Sequence, residues 1–493
     1  MYANALERIC EHEKPYFIAL LAALLCLGAV SCGAPAEQEV TTDTTADTTV
    51  ETVEETEQKP DLPDKDFGGY GYRILTAESN QKFITSTEST GEVVNDAVYD
   101  ANMSVADQFN ITYEWIPIDG NQNEAAKAVQ AYILAGDDAY DILQMHDCTT
   151  GSMALNGWFH NIHELPYVDT TAPWWPQFTV DSLTLNGKMY YISNYTTYRG
   201  LHETRVTFFN KDIITDMGLE NPYDMVKEDT WTIDNMAAIS NSVFVDVNGD
   251  GVQDTGDTMG FVFTNAPYCW LESFGIEAYK KEAKDSAAMT LDINKEVTYT
   301  LIDKLHNWMG VSGNNSVYVD FGGARELAME MFANGSALFT FKCIGDQIPY
   351  LVDTDLDYGI VPFPKVDENQ ANYVSACTDL LLSIPITISD LERNGIIVEA
   401  MSYAGYKHIL PAYCEKALKN RYSTDQDSAE MLDMIFQNRI ISFSYLFVNM
   451  VPSGMQYLLI ANTIKENNVA SYYQANESKE NAVIQTVSEF YAD

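Results

Sequence analysis

The sequence predicts an α/β protein of two lobes joined by chain crossings, and three observations carry that prediction. The chain has 493 residues, 46% hydrophobic and 12% aromatic, which is too long for one small core and has the composition of a folded protein. Between residues 71 and 144 the apolar pattern reads strand, helix, strand, helix, strand, the order of a parallel sheet covered by helices. Residues 187–210, GKMYYISNYTTYRGLHETRVTFFN, set strand-like runs at 189–192 and 206–209 on either side of residues 193–204. That middle stretch is polar and aromatic-rich with no helical apolar period, as an extended hinge between lobes would be. A cleft between lobes buries a small molecule while staying free to open. The same segment also fits an ordinary loop between two strands of one sheet.

The elements follow in order. Residues 71–76 (GYRILT) form a strand that delivers Glu78, Ser79 and Asn80 beyond its end. Val94, Val98, Ala101 and Val105 share one helix face, Asn110 punctuates, and residues 111–116 are strand-like. A helix over 123–135 stops at Gly136, and the strand 140–144 (YDILQ) leads to His146 and Asp147. Ligands of parallel sheets sit beyond the carboxyl ends of strands, so Glu78, His146 and Asp147 are candidates for contact. Past the crossing, Thr230 or Thr232 opens a helix over 229–243, and the strand 259–263 runs into TNAPYCW (264–270). A further helix ends near Gly335, followed by the strand 337–341 and the loop KCIGD (342–346). Residues 358–365 (YGIVPFPK), extended and broken by proline, read as the second crossing, and the strand-like run 380–386 returns to the first lobe. Helices follow, including 428–435. The first lobe then comprises residues 67–193 and about 365–400, the second 194–364, and 401–493 are helices packing across both.

The N-terminal 32 residues read as a targeting segment. Arg8 and Lys14 precede the apolar run 17–30, too short for a comfortable membrane span, which closes on AVSCG. This resembles a bacterial lipobox with Cys32 as the lipidated mature N-terminus. It departs from the pattern at Ala29, where leucine is usual, and Glu7, Glu11 and Glu13 dilute the positive region. A plain secretory signal or an uncleaved anchor is the alternative. Residues 33–66 are rich in Thr, Glu and Asp with almost no large apolar residue, so they predict a disordered acidic tether to the outer face of the membrane.

A formal net charge of -44, from 72 acids and 28 bases, repels phosphate backbones and excludes nucleic acid as the expected partner. Beyond Cys10, Cys26 and Cys32, the cysteines are Cys148, Cys269, Cys343, Cys377 and Cys414; no CxxC pair occurs, and buried free thiols are expected.

The sharpest motif is DVNGDGVQDTGD, residues 246–257. Asp246, Asn248, Asp250, the carbonyl of Val252, Asp254 and Asp257 occupy loop positions 1, 3, 5, 7, 9 and 12, with Gly251 at the turn, a set of oxygens suited to structural Ca²⁺. Gln253 stands where an apolar residue usually packs, and Asp257 is shorter than the usual glutamate. A metal-free turn rich in Asp and Asn is the alternative.

A sugar offers an apolar ring face and a fringe of hydroxyls, so aromatic faces and carboxylates are the side chains to seek. Tyr195, Tyr268, Trp270, Asp147 and Lys342 supply them at predicted strand ends or crossings. Trp158, Trp231 and Trp308 read as core, the pair Trp174 and Trp175 fits either role, and Glu78 could equally be a solvated loop carboxylate. His146 has no second histidine at ligand spacing and reads as a local hydrogen-bonding residue. No GxSxG, HExxH or phosphate-cradling glycine loop occurs.

Taken in order, YDILQMHD (140–147), NGKMYYI (186–192), FFNKDI (208–213), DTWTIDNM (229–236), FANGSALF (332–339) and YGIVPFPK (358–365) resemble the extracellular solute-binding proteins of bacterial ABC importers, sugar-binding type. The resemblance runs from residue 71 to the C-terminal region. It implies a two-lobed periplasmic-binding-protein-like fold (type II), no catalysis, and a monomeric lipoprotein that hands a carbohydrate to permease subunits. It also implies ligand contacts at Asp147, at Tyr268 and Trp270, and in the loop from Lys342 to Asp346. Ala266 departs from maltose-type members that carry a carboxylate there. Some members that bind polysaccharide or oligosaccharide have a calcium loop similar to residues 246–257. A secreted carbohydrate-active enzyme and a surface adhesion lipoprotein are the alternatives from other classes.

Overall fold

Three parallel strands open the fold. They are β1 (Tyr70–Ala77), β2 (Ile111–Ile118) and β3 (Ile142–His146), with β1 between the other two. The computed structural model describes residues 58–265, 268–311, 313–351, 354–419, 426–451 and 463–493. Cys32, the targeting segment, most of the expected tether and Ala266 lie outside the described residues. Residues from Lys59 onward form one compact unit.

The local signals act as expected in the first lobe. Glu92 caps the helix Val93–Phe109 by accepting from Asn95 N, and Asn110 ends it in the left-handed conformation at φ 50°. Asn121 and Glu124 form a reciprocal capping box on the helix Gln122–Ala135, and Gly136 closes it at φ 72°. Val94, Val98, Ala101 and Val105 are all buried.

The second lobe is built on β4 (Arg205–Asn210), β5 (Phe244–Val245), β6 (Thr258–Thr264), β9 (Val317–Asp320), β10 (Ala337–Cys343) and β11 (Tyr358–Val361). The chain passes through a hairpin of β7 (Tyr279–Lys281) and β8 (Met289–Leu291) between β6 and β9. The sheet order is β11-β4-β10-β6-β5, with β9 on β6; β4 runs antiparallel to both β10 and β11. Trp231 is fully buried and its indole N–H donates to Pro362 O at 2.9 Å, and Trp308 is buried too, so both belong to the core. Trp174 and Trp175 are core as well, their indoles donating to the two carboxylate oxygens of Glu399 at 2.7 and 2.9 Å.

The first crossing lies between Ile192, which pairs with Leu382 of the first lobe, and Arg205, which opens β4. Residues 189–192 make a single isolated bridge, at Ile192, rather than a strand, and the crossing is not wholly extended, since Arg199–His202 forms a helical turn. The second crossing is displaced from residues 358–365. β11 hydrogen-bonds along β4 and Lys365 still bonds Trp231 and Ile233, so the chain leaves the second lobe only afterwards. It returns through β12 (Ser375–Cys377) to β13 (Leu380–Ser383), which pairs antiparallel with β3; β12 pairs with β14 (Arg439–Ile441). The expected tether also ends earlier than residue 66: Leu62 packs against the core and Lys65 pairs with Glu392 at 3.3 Å.

Candidate functional site

In the second lobe β6, β10 and β11 all point their carboxyl ends the same way, while β4 begins there. Phe263 and Phe341 are the last inward-facing aromatics of β6 and β10, because alternate residues of a strand share a face. Phe363 follows β11 and stacks on Phe341, ring centroids 4.2 Å apart and planes 21° off parallel. Trp270 stands edge-on to Phe263 at 4.6 Å and to Phe341 at 5.2 Å. These rings, with Thr264, Asn265 and Tyr268, wall a small pocket of about 40 Å³, partly open to solvent.

Charge gathers on the rest of that wall, from Arg205, Arg325, Lys342 and Asp346. Arg325 reaches both oxygens of Asp346, at 3.0 and 3.1 Å, and Asp346 also accepts from Cys343 N at 3.1 Å. Glu203 is buried behind them, 3.9 Å from Arg205 and 3.7 Å from Arg325. Burial pushes its carboxyl up, but Arg199, Arg325 and Arg205 together outweigh that and hold it well below the ordinary carboxylate range. Arg205 also contacts the Cys343 thiol, which burial pushes up and keeps neutral. Lys342 is buried over Phe263 and donates to Arg325 O at 2.7 Å; burial lowers its ammonium to about 8.

The expected first-lobe contact, Asp147, is turned toward its own lobe. That residue is buried at the start of the helix Asp147–Ala154, and its carboxylate accepts from Cys148 N at 2.8 Å and Asp379 N at 3.1 Å. His146 Nδ1 lies 2.6 Å from Asp147 Oδ1, and its Nε2 lies 3.0 Å from Arg199 Nη2. A guanidinium only donates, so Nε2 accepts and Nδ1 carries the proton to Asp147. His146, Asp147 and Cys148 bring their ligand atoms within 4.8 Å of one another, but both ring nitrogens are already used, as suits a hydrogen-bonding residue. Cys148 packs in one cluster with Cys269 of the second lobe, Tyr445 and Val448, with Tyr268 against it. A strap, Ser444–Met450, is therefore wedged where the two lobes approach.

Of the residues expected to contact ligand, Tyr268, Trp270, Lys342 and Asp346 share the pocket wall, and Asp147 does not line it, being buried with its carboxylate on Cys148 N and Asp379 N. Glu78 and Tyr195 do not line it. Glu78 is exposed on the turn Glu78–Phe83, and Tyr195 turns toward Tyr406, centroids 5.9 Å apart, because the crossing packs on the helices after residue 390. Arg205, Arg325 and the phenylalanines went unread, although the alternating aromatics of FVF (261–263) and FTF (339–341) announce a strand face that ends in rings. The five cysteines beyond the N-terminal segment are buried thiols, none in a disulfide among the described residues.

In the loop 246–257, Asp246 accepts from Gly249 N and Gly251 N, Asn248 from Asp250 N at 2.9 Å, and Asp250 from Val252 N at 2.8 Å. Asp257 is fully buried and accepts from Val247 N and Asp254 N, drawing the loop's two ends together. Gln253 is not idle, since its amide donates to Val317 O at 2.8 Å and ties the loop to β9. The donor set is all oxygen and mostly carboxylate, which fits a hard cation.

No protein-family model matches the chain, and neither does any curated protein. Solved structures do. UgpB of Mycobacterium tuberculosis, solved with glycerophosphocholine, is 17% identical over 85% of this chain and 99% of that one, with TM-score 0.54. The GacH receptor of Streptomyces glaucescens, solved with acarbose, is 14% identical over 85% and 98%, with TM-score 0.53. The ABC substrate-binding protein Lmo0181 of Listeria monocytogenes, solved with cycloalternan, is 14% identical over 86% and 99%, with TM-score 0.50. The chain has the two-lobed fold of these binding proteins. No helix among the described residues is long and apolar enough to cross a membrane.

Proposed function

We propose that this chain is the receptor of an ABC importer, capturing a carbohydrate outside the cell and handing it to the permease without chemical change. The observation that carries this reading is the pocket itself. Aromatic rings packed at the ends of β6, β10 and β11 form its apolar floor, the half-buried Tyr268 adds an aromatic edge at its mouth, and polar groups fringe them. Support comes from the structures that share the fold, of which GacH was solved with acarbose and Lmo0181 with cycloalternan. Lipidation at Cys32 is part of the proposal; Cys32→Ala should release the protein into the medium, and unchanged acylation of that variant would remove the anchor from it. Calcium in the loop 246–257 would brace β6 and β9 away from the sugar, with Asp246, Asn248, Asp250, Asp254 and Asp257 as side-chain ligands.

The test is a thermal-shift screen of mono- and oligosaccharides on the purified protein. A saccharide at 100 times its dissociation constant adds about 2.7 kcal/mol of stability. Failure of every saccharide to shift the melt, or turnover of any of them, defeats the reading.

A further inference from the structure

Resting on that reading, we infer that the saccharide carries a singly charged acidic group, a uronate or a sulfate ester, received at the pocket by Lys342, Arg325 and Arg205.

The charge inventory of the wall motivates this. Arg205, Arg325 and Lys342 are three cations, and the carboxylates in reach of them are Glu203 and Asp346. Arg199, which also acts on Glu203, turns to His146 and does not line the pocket; on the wall itself, with the neighbouring thiol of Cys343 neutral, one positive charge is left unbalanced. The two carboxylates serve the arginines. Among the described residues Lys342 has none within 4.0 Å, Asp346 acting on it from farther off, and its ammonium donates to the carbonyls of Arg325 and Thr264, at 2.7 and 3.5 Å. A buried cation without a counter-ion is costly, and the cost falls when an anion arrives beside it. Arg205 likewise keeps its Nε without an acceptor.

A neutral sugar does not need a net charge on the wall, because its hydroxyls are met by amides, carbonyls and hydroxyls without the cost of burying an ion. The setting sharpens the point: the chain as a whole carries a formal charge of -44, so a cationic pocket runs against its own composition. Screening makes the local field decide, since at physiological salt charges beyond roughly 8 Å are largely muted. The size of the surplus selects the anion. One unbalanced charge matches a carboxylate or sulfate ester, whereas a phosphate monoester brings about 1.5 to 2 negative charges. The planar forks of the arginines suit a planar carboxylate best.

The experiment is calorimetric titration of the full-length protein with matched pairs: digalacturonate and its methyl ester, and a sulfated disaccharide and its desulfated form. We expect at least tenfold tighter binding of the acid in one pair, which also tells uronate from sulfate. That preference should fade as pH rises past 8, where Lys342 loses its proton among Arg205, Arg325, Cys343, Asp346 and Glu203. Lys342→Met, which keeps the volume over Phe263, should narrow the acid-to-neutral ratio at least tenfold. If neutral saccharides bind as well as their acids, or the variant keeps the full preference, this inference is overturned while the receptor reading stands. If no saccharide of either kind binds folded protein, both fall together.

Discussion

Buried acids set the expected pH behaviour at the level of single residues. Burial, then Glu277, raises the carboxyl of Glu272 from 4.5 to about 8, and burial lifts Asp379 and Glu399 to about 7. In the unfolded chain these groups lose their protons near the ordinary values, so between roughly pH 4.5 and 8 the folded state holds more protons than the unfolded one. These acids therefore make stability fall as pH rises through that window, against an opposite pull near pH 6 from His160, His163, His202 and His408, which burial holds below the ordinary imidazole value. Urea unfolding should show a higher midpoint at pH 5.5 than at pH 8, and Glu272→Gln should flatten the drop by on the order of 1–3 kcal/mol. An equal slope in that variant would remove Glu272 from the account. Two aromatics of the pocket also part company here. Trp270 is 2% exposed and wedged among Phe263, Phe321, Phe341 and Phe363, so Trp270→Ala should cost about 3–5 kcal/mol of stability before any effect on ligand is read. Tyr268 is only half-buried, and Tyr268→Ala should weaken saccharide binding by about 1–3 kcal/mol with a smaller loss of stability. Denaturation and titration of the two variants side by side decide between these roles.

Among the elements, the strap Ser444–Met450 and the loop 246–257 carry the strongest expectations. A Cβ at Gly151 would meet Leu446 O at 2.7 Å and the Phe447 ring at 2.9 Å, so the helix Asp147–Ala154 sits against the strap with no room to spare. Ser442 and Ser444 fasten the strap's other side to Glu277 of the second lobe. Gly151→Ala should destabilise by about 1–3 kcal/mol through overpacking and loosen the strap, read as faster amide exchange over residues 444–450. Wild-type stability and exchange would mean that the contact yields easily. For the loop, chelation should lower the melting temperature of wild type and leave Asp250→Ala unmoved, with a dissociation constant of about 10⁻⁴ to 10⁻³ M. A wild-type melt indifferent to calcium would leave residues 246–257 as a turn held by its own hydrogen bonds.

At the scale of the molecule the two sheets are linked through the crossing 193–204 and the return through β12. The helical turn Arg199–His202 touches both sides: Arg199 lies over Phe83 of the first lobe, and His202 rests where a Cβ on Gly345 of the second would be, within 2.1 Å. Rotation about this turn would move Asp147 relative to the pocket. A ligand drives closure only through contacts that are better in the closed form, so a saccharide found in the screen should shrink the radius of gyration in small-angle scattering. Tight binding with an unchanged radius would argue for a site formed within the second lobe alone.

The helices and strands that frame the site were legible because their signals are local. Asn110 and Gly136 end helices through their own backbone preferences, Asn121 and Glu124 close a cap three residues apart, and β6 and β10 declare themselves by alternation. The oxygen-rich spacing of residues 246–257 was local in the same way, and so was the excess of acid over base. The boundary at residues 358–365 was misplaced because proline marks a break but not which sheet pairs with the strand before it; that is set by hydrogen bonds to β4, some 150 residues away. Convergence was beyond reading for the same reason. Glu203, Arg205, Arg325, Lys342 and Asp346 lie on three separate segments, and their balance of charge exists only once β4, β10 and the helix Arg325–Ala333 are brought together. The sequence by itself determined which elements form and what chemistry they carry; only the tertiary structure decided which charges face one another, because a pocket's field depends on distances that no spacing along the chain contains.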